Sequence, residues 1–576
     1  MDTDWKDKLI VAAIDFGTCC TGFVISYMAD YKKKKENVIT HHWHSGGALS
    51  KEKTPTVLLL HKDLSFKSFG YDAEDDFADI ATDPDENIKN WHYFRYFKMK
   101  LYDENKDSQI RPQSTVTDQI GREINAMHVF SASIKYLKDK IMETIGDKCH
   151  IKNESDVYFI LTCPAIWSEK AKQFMRLAAE KAGIANDHLR IGLEPECAAI
   201  YLHNVTLPDL SASGNKIFYM KEGDAYMIVD MGGGTVDIAA HKINRHGRFE
   251  ELMIPDGGPW GSICINYKFE QALAALSGGA AFETFRNVHF KDYTDLMRDF
   301  EFTKIAYNPE RGTARLKIPT SFGDCHSLEN NETLTESLEQ VKHQLFEKVL
   351  LKNNMFRFHK ESFEHLFNET IEHIIDKVSH SLEQCEKFKR TKIKAIFCVG
   401  GFSDCKLLRD RFKTVFGDRV IIPNDAITSI VKGAVIFGRD EQIIEYRISR
   451  FTYGLDWSVD FDSKVHDPKR KEVTESGVVC KDFFHTIAEK DKQIPTDYAT
   501  IKIESFVKTS TQDRMEFPFY RTEKVPPPLY IDDPECSLMG SMIVGLDDTT
   551  GGLDRYVTLE VYFGASELRA EATDNK

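Results

Sequence analysis

The chain has 576 residues, 42% hydrophobic and 29% charged, an ordinary globular balance with length for about three or four average domains. Ninety acidic side chains against 75 basic ones give a formal net charge of −15, which argues against a general nucleic-acid binder and suits a chain kept dispersed by self-repulsion. Twelve scattered cysteines without a Cys-x-x-Cys pair, two acids in the first four residues and no apolar run of about 18 residues predict reduced thiols, a cytoplasmic location, no signal peptide and no membrane span.

The first predicted element is the apolar run Leu9–Ala13, which leads into Ile14-Asp15-Phe16-Gly17-Thr18-Cys19-Cys20-Thr21-Gly22. A strand that enters Asp-x-Gly-Thr and leaves as a second alternating strand to Tyr27 reads as a hairpin whose turn faces a ligand. The adjacent cysteines admit three readings at this point: a redox pair, metal ligands, or substitutions in a nucleotide loop. Redox pairs are mostly spaced by two residues, and no nearby His/Cys cluster has zinc spacing. The basic run Lys32–Lys35 reads as a solvated loop. Further on, the aromatic run Trp91–Lys100 (WHYFRYFKMK) reads by itself as a helix carrying an ordinary surface lysine. Tyr158–Ile184 predicts a buried strand ending at Cys163-Pro164, an N-cap at Ser168, a helix over Lys170–Lys181 and a stop at Gly183. His188–Leu202 predicts a short strand, an exposed Glu194-Pro195 and a helix starting at Pro195.

Tyr226–Ile243 (YMIVDMGGGTVDIAAHKI) repeats the plan of the first hairpin, too far along the chain for a solenoid repeat, so a duplicated domain with one hairpin per half is expected. Gly232, Gly233 and Gly234 let backbone N–H groups approach a polyphosphate without Cβ clashes, and such turns form anion-binding nests. Asp230 and Asp237 flank them, and magnesium prefers oxygen ligands while keeping several waters. The loop has neither the Gly-Lys-Ser/Thr of a Walker loop nor a dinucleotide fingerprint. Phe363, Leu366, Phe367, Ile371, Ile374, Ile375 and Val378 form one stripe at helical spacing, expected to face a core. A strand over Ile393–Gly401 brings Gly400-Gly401 to a third close-approach point, suited to a nucleoside, and another helix runs from beyond Pro423 to Phe437-Gly438. Strand–helix alternation here predicts an α/β architecture. After about Tyr446 helical periodicity fades into alternating segments separated by turn-rich pieces, which predicts a β-domain, most simply a sandwich.

The ordered set IDFGT (Ile14–Thr18), CPAIW (Cys163–Trp167), LEPECAAI (Leu193–Ile200), VDMGGGTVDI (Val229–Ile238) and VGGFSDCKLL (Val399–Leu408) resembles the 70-kDa heat-shock family of the actin and sugar-kinase superfamily. FGYDAEDDF (Phe69–Phe77), YFKMKLY (Tyr96–Tyr102), GGPWGS (Gly257–Ser262) and Ile421–Gly438 extend the resemblance to the divergent heat shock 70 kDa protein 12 branch, over nearly the whole chain. The resemblance implies a duplicated actin-like (ribonuclease-H-like) ATPase fold over 1–447, with lobes of about 1–222 and 223–447, and a β-sandwich-like domain over 448–576 without a helical lid. It implies Mg2+ held through water by Asp15, Asp230 and Asp237, and ATP or ADP phosphates contacted by Gly17, Thr18, Cys19, Gly232, Gly233, Gly234 and Thr235. Glu194 would place the lytic water or the metal, and Lys98, with Lys100 as its close rival, would sit near the γ-phosphate. Glu301, Lys304, Gly400, Gly401 and Phe402 would form the adenosine side.

The sequence also departs from the family's pattern. Phe402-Ser403-Asp404 stands where Ser-Thr-Arg is usual, and Ile305 where an arginine is usual, so two cation–π partners of the base are missing, with Phe402 as a substitute. Gly261–Asn266 carries no carboxylate where an acidic stretch is usual, and Cys19 and Cys20 replace threonine and tyrosine, which softens the phosphate loop. Cys19 is then also a place where thiol oxidation would block nucleotide binding. The expected function is a slow Mg-dependent ATPase that couples nucleotide state to a protein client or signalling partner, with nucleotide-exchange factors as further partners and no nucleic acid. The alternative is a nucleotide-binding scaffold or adaptor without turnover.

Overall fold

The computed structural model describes residues 8–44, 50–102, 110–149, 154–205, 220–496, 501–563 and 566–575. The acid-rich start at residues 1–7, the side chain of Cys149 and residue 576 lie outside them. The architecture is α/β with mixed parallel and antiparallel sheets, and the chain forms two compact units. One comprises Met1–Ala240 with Pro255–Glu441; the other comprises His241–Ile254 with Gln442–Lys576.

In the first unit the strands run in the order Leu189–Leu193, Val157–Cys163, Ile10–Phe16, Cys20–Tyr27 and Ile39–Thr40. Ile10–Phe16 is parallel to Val157–Cys163, with Ala12 opposite Phe159, and antiparallel to Cys20–Tyr27, with Asp15 opposite Gly22. Every residue of Ile10–Phe16 and of Val157–Cys163 is buried, as a strand covered on both faces requires. Phe130, Ile134, Leu137 and Ile141 of the helix Ala126–Cys149 join Ile14, Phe16, Phe159 and Leu161 in one core, each such side chain contributing about 1.5–3 kcal/mol. The helix Ser429–Arg439 packs so closely on this sheet that a Cβ on Gly438 would stand 2.6 Å from Cδ1 of Ile160.

A second sheet has in this unit the order Val420–Ile421, Ile393–Val399, Ala225–Met231, the strand Val236–Ile243 as far as Ala240, and Asp256–Gly258. Ala225–Met231 is parallel to Ile393–Val399, with Val229 opposite Cys398, and Val236 pairs antiparallel with Gly258. The expected helix N-cap is present: the Ser168 hydroxyl accepts from the N–H of Ala171 at the start of Glu169–Lys181. The helical stripe is also observed, because Phe363, Leu366, Phe367, Ile371, Ile374 and Val378 are buried along Lys360–Glu383 while Ile375 is half-buried. Lys32–Lys35 are exposed.

In the second unit, His241–Ile243 pairs antiparallel with Phe249–Glu251, which runs parallel to Ile444–Ile448. The remainder is antiparallel. One sheet has the order Lys471–Thr474, Gly477–Ala488, Thr452–Asp460, Arg514–Thr522 and Cys536–Gly545; another has Ile501–Phe506, Tyr556–Tyr562 and Arg569–Asn575. Leu455, Phe517 and Phe519 of the first share one buried cluster with Val557, Leu559 and Val561 of the second. Among the described residues no helix is long and apolar enough to cross a membrane, and the eleven cysteines with described side chains are free thiols.

Candidate functional site

The two Gly-Thr turns come together. A Cβ built on Gly233 would stand 2.4 Å from Sγ of Cys19, and one on Gly234 would stand 2.6 Å from Oγ1 of Thr18. Only residues without a side chain can approach the first loop this closely. The glycine turn is held from its other side: the carbonyls of Gly232, Gly233 and Gly234 accept from the N–H groups of Ser262, Ile263 and Gly261 at 3.2, 2.9 and 3.1 Å. A Cβ on Gly261 would lie 2.3 Å from the Gly233 oxygen. The stretch Gly261–Ile263, which in sequence was notable only for lacking an acid, is therefore the brace of the glycine loop. In the first loop, Gly17 accepts from the Thr56 hydroxyl at 2.7 Å, and Thr18 is buried beside Sδ of Met99 at 3.9 Å.

Four carboxylates are buried next to these turns: Asp15, Glu194, Asp230 and Asp237. Asp15 accepts from Nζ of Lys53 at 2.5 Å and from the Thr162 hydroxyl at 3.2 Å. Glu194 begins the helix Glu194–Asn204 and accepts from Nζ of Lys98 at 3.0 Å. Asp237 accepts from the N–H of Ile166 at 3.0 Å. Asp230 keeps a buried Oδ1 without a hydrogen-bond partner, against which Gly400 packs so closely that a Cβ there would lie 2.4 Å away. Gly400 has φ +84°, a conformation open to glycine. Burial, then Glu194, Asp237 and Asp15, push Asp230 well above the usual carboxylate range. Burial pushes Glu194 up to about 7, with the Lys98 ammonium pulling it down. Burial works against the charges of Lys53 and Lys98, but Asp15 and Glu194 outweigh it and hold both above the usual lysine range.

If all are ionised, four carboxylates against two ammoniums leave two negative charges uncompensated, a balance that one divalent cation restores. Among the described residues, no group of three or more His, Cys, Asp or Glu side chains converges for direct ligation. The open oxygen of Asp230 and this charge balance fit a hydrated cation held through water.

Lys53 was not singled out from the sequence. It lies between the short strands Ser50–Lys51 and Thr54–Pro55, and no local spacing links it to Asp15. Lys98 was singled out, but its setting differs from the local reading. Trp91–Arg95 is a strand, Tyr96 turns the chain with φ +56°, and Lys98 sits in the short 3-10 segment Phe97–Leu101. Lys98 is 2% exposed and lies 4.9 Å from the Trp167 ring, whereas Lys100 is exposed.

On the expected adenosine side, Glu301 and Lys304 share the helix Phe290–Ala306. Lys304 is 1% exposed and donates to Glu301 Oε1 and Asn266 Oδ1, both at 2.8 Å, and to the Ser262 carbonyl at 3.2 Å. Asn266 also donates to Glu301 and, at 3.4 Å, to the Tyr96 hydroxyl. This network ties the helix to the brace of the glycine loop, and Asn266 too was missed in sequence. Phe402 is 3% exposed within Gly401–Asp404, while Ile305 is 43% exposed. A Cβ on Gly401 would meet open space.

No protein-family model matches the sequence. Curated relatives match nearly end to end. The chain is 30% identical to "Heat shock 70 kDa protein 12A" of Mus musculus over 98% of its own length and 90% of that protein. It is 29% identical to the Homo sapiens protein of the same name, over 99% and 90% respectively. It is 27% identical to "Heat shock 70 kDa protein 12B" of Homo sapiens, over 98% and 89%.

Proposed function

The chain belongs to the heat shock 70 kDa protein 12 family, and from that premise we propose that it binds ATP with magnesium, hydrolyses it slowly and couples nucleotide state to a protein client or partner. One observation carries this reading: the Asp15–Cys19 and Asp230–Thr235 turns abut, with four buried carboxylates, the buried Lys98 and the half-buried Lys53 at their base. In this reading 1–447 is a duplicated actin-like unit whose two hairpins supply the two phosphate turns, and the β-strands of 448–576 form a sandwich-like domain that meets the client.

Backbone N–H groups of Gly232, Gly233 and Gly234, with the hydroxyls of Thr18 and Thr235, would hold the phosphates. Asp15, Asp230 and Asp237 would hold magnesium through water; the ion supplies charge neutralisation of the transferred phosphoryl group. Lys98 would exchange Glu194 for a phosphate oxygen. Glu194, titrating at about 7, can then orient the attacking water and accept its proton near neutral pH. Phosphate release from ATP is expected for the wild type and to fall to background in Asp237→Ala and Lys98→Ala. ATP binding without any release above background in the wild type removes the ATPase part of the reading.

The second reading, a nucleotide-binding scaffold or adaptor without turnover, is favoured by the base side. Phe402 is buried rather than open to stacking, and Ile305 stands where the family's pattern has a cation. A panel of ATP, ADP and GTP, with and without magnesium, separates the two: the first reading requires magnesium-dependent preference for adenine nucleotides, the second tolerates any base.

A further inference from the structure

A second charged cavity lies within the first unit, outside the phosphate turns. It has a volume of about 540 Å³ and is lined by Arg95, at the end of the strand Trp91–Arg95, and by Arg286, in the last turn of the helix Gly279–Val288. Both guanidiniums have a buried Nε without a hydrogen-bond partner. Arg95 spends one nitrogen on the Tyr96 hydroxyl at 2.5 Å, and neither arginine has a carboxylate within ion-pair distance among the described residues. The acids of the lining do not supply that charge. Asp118 gives one oxygen to His92 and Arg122 and the other to the N–H groups of Ile120 and Arg122. Glu283 is exposed at the rim and pairs with neither arginine.

Two guanidiniums that line one cavity, neither in an ion pair among the described residues, are costly to hold there, and an oxyanion that accepts from both removes that cost. The volume lies in the range of small-molecule sites and exceeds what one phosphate fills, and the amides of Gln119 and Asn287 offer neutral hydrogen bonds to the remainder of a ligand. We propose that this cavity is an oxyanion site, separate from the nucleotide turns, that takes a small phosphorylated molecule with its phosphoryl group clamped between Arg95 and Arg286. The phosphoryl group recruits one arginine from Trp91–Arg95 and the other from Gly279–Val288, so occupancy ties those two elements together.

The test is calorimetric titration of the full chain with inorganic pyrophosphate, without magnesium. Wild type is expected to bind it, and Arg286→Gln to bind at least about tenfold more weakly, the loss for one charge-assisted contact. Arg95→Gln should match Arg286→Gln; should it fail to fold, Arg286→Gln decides alone. The proposal is overturned if the wild type takes up no pyrophosphate, if Arg286→Gln binds like the wild type, or if Lys98→Met alone weakens binding, which would place the probe in the nucleotide turns. ATP binding plays no part in these outcomes, so this proposal and the nucleotide reading fail separately.

Discussion

Replacing Lys98 by methionine isolates the energetics of the buried pair from any question of turnover. Lys98 and Glu194 are almost fully buried and 3.0 Å apart, and removing one partner of such a pair costs about 3–5 kcal/mol if the survivor stays charged. Glu194 has an escape: it already titrates at about 7 against 4.5 for a free glutamate, and loss of the ammonium that pulls it down raises it further. A carboxyl whose folded pKa lies above its unfolded value holds a proton that the unfolded chain releases. Stability is therefore full below about 4.5 and is lost as pH rises through the folded pKa, by at most about 1.4 kcal/mol per pH unit. In the wild type most of that loss is complete near pH 7; in Lys98→Met it continues above. Between pH 7 and 8.5 the variant should fall relative to wild type by up to about 2 kcal/mol, a few degrees of melting temperature. Thermal melts at pH 6, 7 and 8.5 read this directly. The double substitution Lys98→Met with Glu194→Gln should flatten the profile. Parallel melting profiles of wild type and Lys98→Met above pH 7, or a double variant that keeps the slope, would refute the reasoning.

Asp230→Asn should stabilise the ligand-free protein by on the order of 1 kcal/mol, read as a higher melting temperature, because burial and three neighbouring carboxylates oppose ionisation of Asp230; it should weaken magnesium-dependent ATP binding measured by calorimetry. Gly261→Ala places a Cβ 2.3 Å from the Gly233 oxygen, so denaturation should show a loss of about 1–3 kcal/mol together with lost ATP binding. Arg439 is 1% exposed and donates to the Ser26 carbonyl at 2.8 Å and the Lys8 carbonyl at 2.7 Å; Arg439→Ala should cost about 2–4 kcal/mol by thermal or chemical unfolding. Burial and the neighbouring Cys20 raise the Cys19 thiol, so iodoacetamide near pH 7.5 should label Cys19 more slowly than it labels the unfolded chain, and mild peroxide should leave ATP binding intact in both wild type and Cys19→Thr.

What the sequence made legible was local. Ile10–Phe16 and Ala225–Met231 are apolar runs ending in Asp and Gly, and strand and turn follow from neighbouring residues alone. The Phe363–Val378 stripe and the Ser168 cap are equally short-range. What was not legible depended on distant partners. Lys53 meets Asp15 only because Thr54–Pro55 pairs with Cys20-Thr21 and carries the preceding lysine to the end of the first strand. Gly261 and Asn266 acquire their roles from the loop and helix they brace, and nothing in their immediate sequence names either. Lys98 was misjudged locally for a related reason: Trp91–Arg95 pairs with Val57–His61, and that pairing overrides the helical reading of an aromatic run.

The same long-range contacts distinguish three aspartates that the motifs present as equals. Asp15 already has an ammonium on one oxygen and a hydroxyl on the other. Asp237 has one oxygen fixed by the Ile166 N–H. Asp230 combines a buried oxygen without a hydrogen bond, a carboxyl pushed toward its neutral form and a glycine packed against it. Without a cation, the least costly state of this cluster keeps both lysines on their acids and a proton near Asp230. Asp15, Asp230 and Asp237 would hold a hydrated divalent ion, which would supply the positive charge that the proton and Lys53 supply in its absence, so the metal and nucleotide sites would order together. Under the proposed reading, softened contacts at Cys19 and an absent base cation would weaken nucleotide binding without removing it, because the charge balance at the base of the turns does not depend on either.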